Sequence, residues 1–224
     1  MFFLTIKKVL FLLACIFLGG YLLDSSTLLS FDGYRGAFVI PLIKKNNKTY
    51  VLVGLESGGK DKGTYCVPGG SSGWGIFRDT NPLDTASREF CEETLTDLDY
   101  NMVRRLIDTT QRARFVDLFH AKKIVTYVVP FKEELIDDII KNFFHRRSAT
   151  WFWQYYYREM DGFALIQLKD IVFSCKKHHR GQKCWVRGLV YDSHTQDYKE
   201  LNIVVRPILR QIIKKHGSLL RSYE

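Results

Sequence analysis

The 224-residue chain has no internal repeat, which excludes a solenoid or propeller assembled from stacked units. Five cysteines are too few and too scattered to impose a disulfide framework or to settle the redox compartment. Acid is short relative to base: 24 Asp and Glu stand against 33 Lys and Arg, for a formal charge of +9 and a pI of about 9.3. The basic surplus gathers at Lys122-Lys123, at His145-Arg146-Arg147, between Lys176 and Lys183, and between Arg206 and Arg221. Such a surface favours phosphate-rich partners, nucleic acid or anionic head groups, and says nothing about fold. The same clusters also suit plain solvated loops and helix ends.

What is present begins with Arg88-Glu89-Phe90-Cys91-Glu92-Glu93, arriving eighteen residues after the Val67-Pro68-Gly69-Gly70 turn. On an α-helix, Glu89, Glu92 and Glu93 at i, i+3 and i+4 share one sector about 100° wide. Carboxylates one turn apart repel by roughly 0.2–0.5 kcal/mol per pair and raise one another's pKa. A hard divalent cation removes that penalty. Mg²⁺ takes one or two carboxylates and completes its shell with water and phosphate oxygens. Arg88 stands four residues from both Asp84 and Glu92, where it can hold a carboxylate in one rotamer. In isolation the string would also serve as a solvated acidic helix face.

The surrounding sequence resembles the Nudix hydrolases, whose signature is a PGG turn, a Glu in the loop that follows, and then R-E-U-x-E-E-x-G-U, with U bulky and apolar. Gly63 to Gly70 resembles the family's G-x-W-x-x-P-G-G strand end, with Tyr65 in place of Trp, and Arg88, Glu89, Phe90, Glu92 and Glu93 match position by position. There are three departures. Thr80 stands where the loop Glu belongs, with Asp79 as the nearest carboxylate; the loop is four residues longer than the family spacing; and Leu95 and Thr96 replace the final Gly and apolar residue. Leu enters the left-handed conformation only at a cost, which puts the helix C-cap in question.

The resemblance implies an α+β fold, a Nudix-type α/β/α sandwich around a mixed sheet, over residues 35–224. It also implies Mg²⁺- or Mn²⁺-dependent hydrolysis of the diphosphate linkage in a nucleoside diphosphate joined to another moiety. Glu89, Glu92 and Glu93 would hold the metal, Arg88 would orient them, and Gly69 and Gly70 would let backbone approach the diphosphate. The segment from Glu159 to Ile171 resembles the late strand of the family, making Glu159 the first candidate for an extra carboxylate at the substrate, with Glu133 and Glu134 behind it. Rival readings are a Nudix-like binding module without turnover, and an RNA-end binder that removes a cap. RNA draws support only from the charge and from the aromatic run Trp151 to Tyr157, which could stack a base, line a membrane interface or pack in the core.

Residues 1–23 place Lys7 and Lys8 before about fifteen mostly apolar residues, a length between a signal-peptide core and a short membrane span. Leu18 with Gly20, and Leu23 with Ser25, fit a cleavage site poorly, so an uncleaved anchor is favoured over a removed signal. Residues 24–34 read as a linker. Lys7 and Lys8 would keep the N-terminus cytoplasmic and put the domain across the membrane; nucleotide substrates are usually cytosolic, so the side stays open. A fourth reading, a membrane-associated structural protein, rests on this segment alone.

Along the remainder, Gly36–Ile43 and Thr49–Leu55 read as a hairpin, Thr64–Val67 as a short strand, and 112–120 and 122–131 as two more strands. Asn81-Pro82 reads as an N-cap followed by Pro at the first helical position, with Leu83, Ala86 and Phe90 facing the core. Lys132–Phe144 and Leu201–Leu220 read as helices. Cys175, His178, His179 and Cys184 could donate to zinc, Cys175 and Cys184 could form a disulfide, or the stretch could be a basic turn.

Overall fold

The computed structural model describes residues 34–73, 79, 81–96, 98–109, 114–119, 122–149, 160–177 and 183–224. The apolar segment 1–23, Thr80, the aromatic run 151–157, Glu159 and the two histidines 178 and 179 lie outside these residues. No helix among the described residues is long and apolar enough to cross a membrane.

Two strands, β1 (Tyr34–Lys45) and β2 (Lys48–Glu56), form the expected hairpin. Its turn is only Asn46-Asn47, both left-handed (φ 49° and 57°), the conformation that asparagine tolerates best among non-glycine residues. β3 (Tyr65–Cys66) lies on β2, and β4 (Gly69–Ser71) returns to pair with the start of β1. α1 (Pro82–Thr94) and α2 (Tyr100–Thr109) follow, then β5 (Arg114–Phe119), β6 (Lys122–Phe131) and α3 (Glu133–Ala149). The chain closes with β7 (Met160–Gln167), α4 (Leu168–Lys177), β8 (Cys184–Asp192), β9 (Asp197–Val205) and α5 (Pro207–Leu220).

The nine strands among the described residues join one mixed sheet in the order β3-β9-β8-β7-β2-β1-β6-β5, with β4 on β1 beside this path. Strand β3 also contacts β2, so the sheet rolls towards closure at that end. Period-two alternation divides the core into two layers. On β1, Ala37, Val39 and Ile43 face one way and Phe38, Ile40 and Leu42 the other. The first face is covered by α1, α2 and α3 through Phe90, Ile107, Ile140 and Phe143; the second by α4 and α5 through Ile171, Val172, Leu209 and Ile213. This is an α/β/α sandwich around a mixed sheet, as the box resemblance implies.

Two element assignments need correction. Leu201–Val205 is the second half of β9, paired with β8, and the last helix starts at Pro207. Ile203 and Val205 alternate inward, and Pro207 suits the first helical position. The strand expected to run from 159 to 171 ends at Gln167. From Leu168 the inward residues are Ile171, Val172 and Cys175, spaced as on a helix.

Candidate active site

The site is built on the split between β1 and β4. Ala37 pairs with Gly70 and Phe38 with Gly69, while Val39 N–H donates to Pro68 O at 2.8 Å. At Gly69 φ is +151°, and a Cβ there would sit 2.5 Å from Ala37 O. At Gly70 a Cβ would meet Glu89 Oε2 at 2.4 Å. The two glycines are therefore what lets the turn lie against the acidic face of α1.

Helix α1 starts as the sequence indicates: Asn81 Oδ1 accepts from Asp84 N–H at 3.0 Å and Pro82 takes the first position. Its inner face carries Ala86 and Phe90, both fully buried. One step round, Glu89 and Glu93 also turn inward (7% and 4% exposed), leaving Glu92 at the rim. Burying carboxylates requires partners. Glu93 Oε2 accepts the Gly69 N–H at 2.8 Å. Glu89 Oε1 and Glu92 Oε2 accept from Arg88 at 2.8 and 2.7 Å. Arg88 Nη2 also donates to Ser71 O at 2.9 Å, so two hydrogen bonds tie the helix to β4.

Arg88 does not use Asp84, which instead pairs with Arg104 of α2 at 2.8 Å. Its third carboxylate is Asp79, at 3.0 Å from Nη2 and 3.2 Å from Nε. Asp79 is itself held by the Thr85 hydroxyl at 2.8 Å, and its carbonyl accepts from the Tyr34 hydroxyl at 3.2 Å. Burial works against the Arg88 charge, but the hydrogen bonds it donates to Asp79 and the charges of Glu89, Glu92 and Asp79 outweigh it and hold its pKa above the ordinary value. On the same helix, burial and then Glu92 and Asp99 push the Cys91 thiol up to about 11, so it stays protonated at neutral pH.

The helix ends at Leu95, which adopts the left-handed conformation (φ 47°, ψ 35°) and donates its N–H to Glu92 O at 3.4 Å. The Gly-type ending survives without Gly. The conformational cost is roughly 1–2 kcal/mol, and Leu95 offsets part of it by packing against the α1-side core.

Among the described residues, no group of three or more His, Cys, Asp or Glu converges on a point suited to a metal ion. Glu89 and Glu92, however, already converge on one positive group, the Arg88 guanidinium. Two carboxylates are as many as Mg²⁺ usually takes from a protein. The all-oxygen donor set thus fits a hard divalent cation, with Glu93 committed through one oxygen to the turn. Glu133 is elsewhere: it pairs with Lys45 at 2.7 Å, seven residues along β1 from Phe38 and therefore roughly 23 Å from the glycine turn.

No family model matches the chain, and no curated protein does. Among solved structures, a MutT/nudix family protein from Enterococcus faecalis shares 14% identity over 85% of this chain and 64% of its own, with a TM-score of 0.43. The NUDIX domain of Shewanella oneidensis NrtR, solved with ADP ribose, shares 16% identity over 46% of this chain and 62% of its own (TM-score 0.30). A C. elegans Ap4A hydrolase binary complex gives 14%, 44%, 67% and 0.32 for the same quantities. Its structural neighbours include Nudix proteins. This chain spans just under two thirds of the Enterococcus and Shewanella proteins. At these TM-scores the likeness bears no weight, so the functional case rests on residues 69–93.

The structure brings together Gly69, Gly70, Arg88, Glu89, Glu92 and Glu93. Sequence reasoning undervalues Asp79 and overlooks Ser71. Asp79 lies nine residues before Arg88, a spacing no helix rule connects. Only its place beside the Asn81 cap hints that it can reach the helix start.

Proposed function

We propose that the chain is a Nudix-type pyrophosphohydrolase acting on a nucleoside diphosphate joined to another moiety. The observation that carries this reading is the Glu93 to Gly69 hydrogen bond, which presses a glycine turn against the Glu89/Glu92 face. A turn without side chains lets backbone N–H groups approach a diphosphate, and carboxylates beside it are where a divalent ion would be shared with phosphate oxygens. Glu89, Glu92 and Glu93 are the residues that would hold Mg²⁺ or Mn²⁺. Such an ion would neutralise charge developing on the transferred phosphoryl group and ease ionisation of water. Arg88 sets the rotamers of Glu89 and Glu92 and stays charged throughout. Glu159 remains the proposed additional carboxylate. Residues 1–23 are proposed to attach the domain to a membrane.

Phosphate release from a panel of nucleoside diphosphate derivatives, with Mg²⁺, Mn²⁺ or chelator, tests the activity. Turnover that needs the metal and disappears in Glu92→Gln supports it. Tight nucleotide binding with no turnover under any metal would make the chain a binding module instead. Steeply salt-dependent RNA affinity accompanied by cap release would favour the RNA reading. Full-length protein should partition into vesicles while residues 31–224 should not, and a fully soluble mature form starting between residues 20 and 30 would replace the anchor by a cleaved signal.

A further inference from the structure

Two buried side chains on the face opposite the active site take no part in it. Cys175 lies in the last turns of α4 and Cys184 is the first residue of β8; their Sγ atoms are 3.5 Å apart. Both thiols are free, and both are essentially closed to solvent (0% and 1% exposed) within the core beneath α4 and α5. Each sulfur is the other's hydrogen-bond partner. That contact lowers the Cys184 pKa against the opposing effect of burial, with help from Arg210 of α5, and raises that of Cys175. At 3.5 Å, either sulfur is within reach of a mixed disulfide formed on the other.

We propose that Cys175 and Cys184 form an intramolecular disulfide by exchange with a small-molecule disulfide of the glutathione type. The Cys184 thiolate attacks one sulfur of that disulfide and releases a small thiol, leaving a mixed disulfide. The Cys175 thiolate then attacks the Cys184 sulfur and displaces the second small thiol. Both cysteine protons end on the two released thiols, and two electrons pass from the protein to the reagent. The sulfurs need close by only about 1.5 Å to reach bonding distance. Burial makes opening of the first residues of β8 the slow step, so dilute denaturant should accelerate the exchange. The bond would fasten a row of strands: Cys184 pairs with Val205, and Val205 with Tyr65, the strand that leads into the Gly69 turn.

Reduced full-length protein is incubated with oxidised glutathione, quenched, denatured and alkylated. The chain has five cysteines. Five adducts are expected before treatment and three after, with a single cross-linked peptide pair containing Cys175 and Cys184. The oxidised form should melt ~5 °C higher, reversibly on adding reductant, and Cys184→Ser should abolish the shift. Five adducts after prolonged exposure in dilute denaturant, or a bond involving Cys66 or Cys91, would overturn the proposal. So would one zinc ion per chain that shields both thiols while they stay reduced. If the serine variant does not fold, the wild-type adduct count and peptide map decide alone.

Discussion

Two arginines organise carboxylates on either side of β3, and they differ in how far their partners lie along the chain. Arg88 draws Glu89, Glu92 and Asp79 from one, four and nine residues away. Arg206, just before α5, grips Glu56 at 2.7 Å and Asp61 at 3.0 Å across 150 and 145 residues, and its own N–H donates to Tyr65 O at 2.9 Å. Its guanidinium is opposed by burial, and the charges of Glu56 and Asp61 and the hydrogen bond it donates to Asp61 more than compensate. The Arg88 cluster braces the β3–β4 turn itself, and the Arg206 cluster the β2–β3 connection that leads into it. The Arg88 cluster adds acids that face the glycines, whereas the Arg206 cluster fastens the closing edge of the sheet. The contrast predicts that one governs chemistry and the other stability.

The largest effect should come from Glu92→Gln and Glu93→Gln. Each removes the charge of a proposed metal ligand while keeping shape, and in the second the new amide oxygen can still accept from Gly69 N–H. Turnover should fall at least ~100-fold with a melting temperature within a few degrees of wild type. Near-normal rates in both would remove the metal assignment.

Gly70→Ala comes next. The new methyl group would collide with the end of the Glu89 side chain, which can swing away cheaply, so stability should hardly change while activity drops ~10–100-fold. Gly69→Ala is the counterpart. Its Cβ meets backbone at Ala37 and Phe38, which cannot yield, and φ is unfavourable; the cost should be about 1–3 kcal/mol of folding stability. A melt paired with steady-state rates distinguishes the two, and identical behaviour would mean the turn has no division of labour.

Arg206→Gln should show the reverse of Glu92→Gln. Glu56 and Asp61, only 13% and 19% exposed at their side chains, would lose their shared cation. Stability should fall by roughly 1–3 kcal/mol while the rate per folded molecule changes less than ~3-fold. A selective loss of rate would place Arg206 in the active site.

The distances along the chain also explain what can be read in advance. The α1 box, its Asn81 cap and the β1–β2 hairpin depend on neighbours within a few residues, so spacing alone exposes them. Leu201–Val205 reads as helix because its strand partner, β8, is itself hard to recognise: Cys184–Asp192 carries exposed Trp185 and Arg187 alternating with buried Cys184 and Val186, next to the mixed basic stretch 176–183 that reads as a turn. Arg206 is legible only as one of many basic residues, since nothing local links it to Glu56. Leu95 misleads for a different reason. Its left-handed ending is imposed by helix packing that Leu95 joins, and propensity alone argues against it.

Asp79→Asn should produce the smallest effect and the finest test. The amide oxygen can keep accepting from Arg88 and from Thr85, so the loop should stay in place and the melting temperature should move little. What changes is the competition for Arg88. With the Asp79 charge gone, the guanidinium is held more tightly by Glu89 and Glu92, the carboxylates a cation would have to win. Divalent affinity should therefore weaken by ~2–5-fold, the scale of one partly solvated charge pair. Asp61→Asn, which relaxes Arg206 in the same manner, should leave it unchanged. Calorimetric titration of both variants with Mn²⁺ measures the difference; equal affinities would show that Arg88 and the metal do not share their carboxylates.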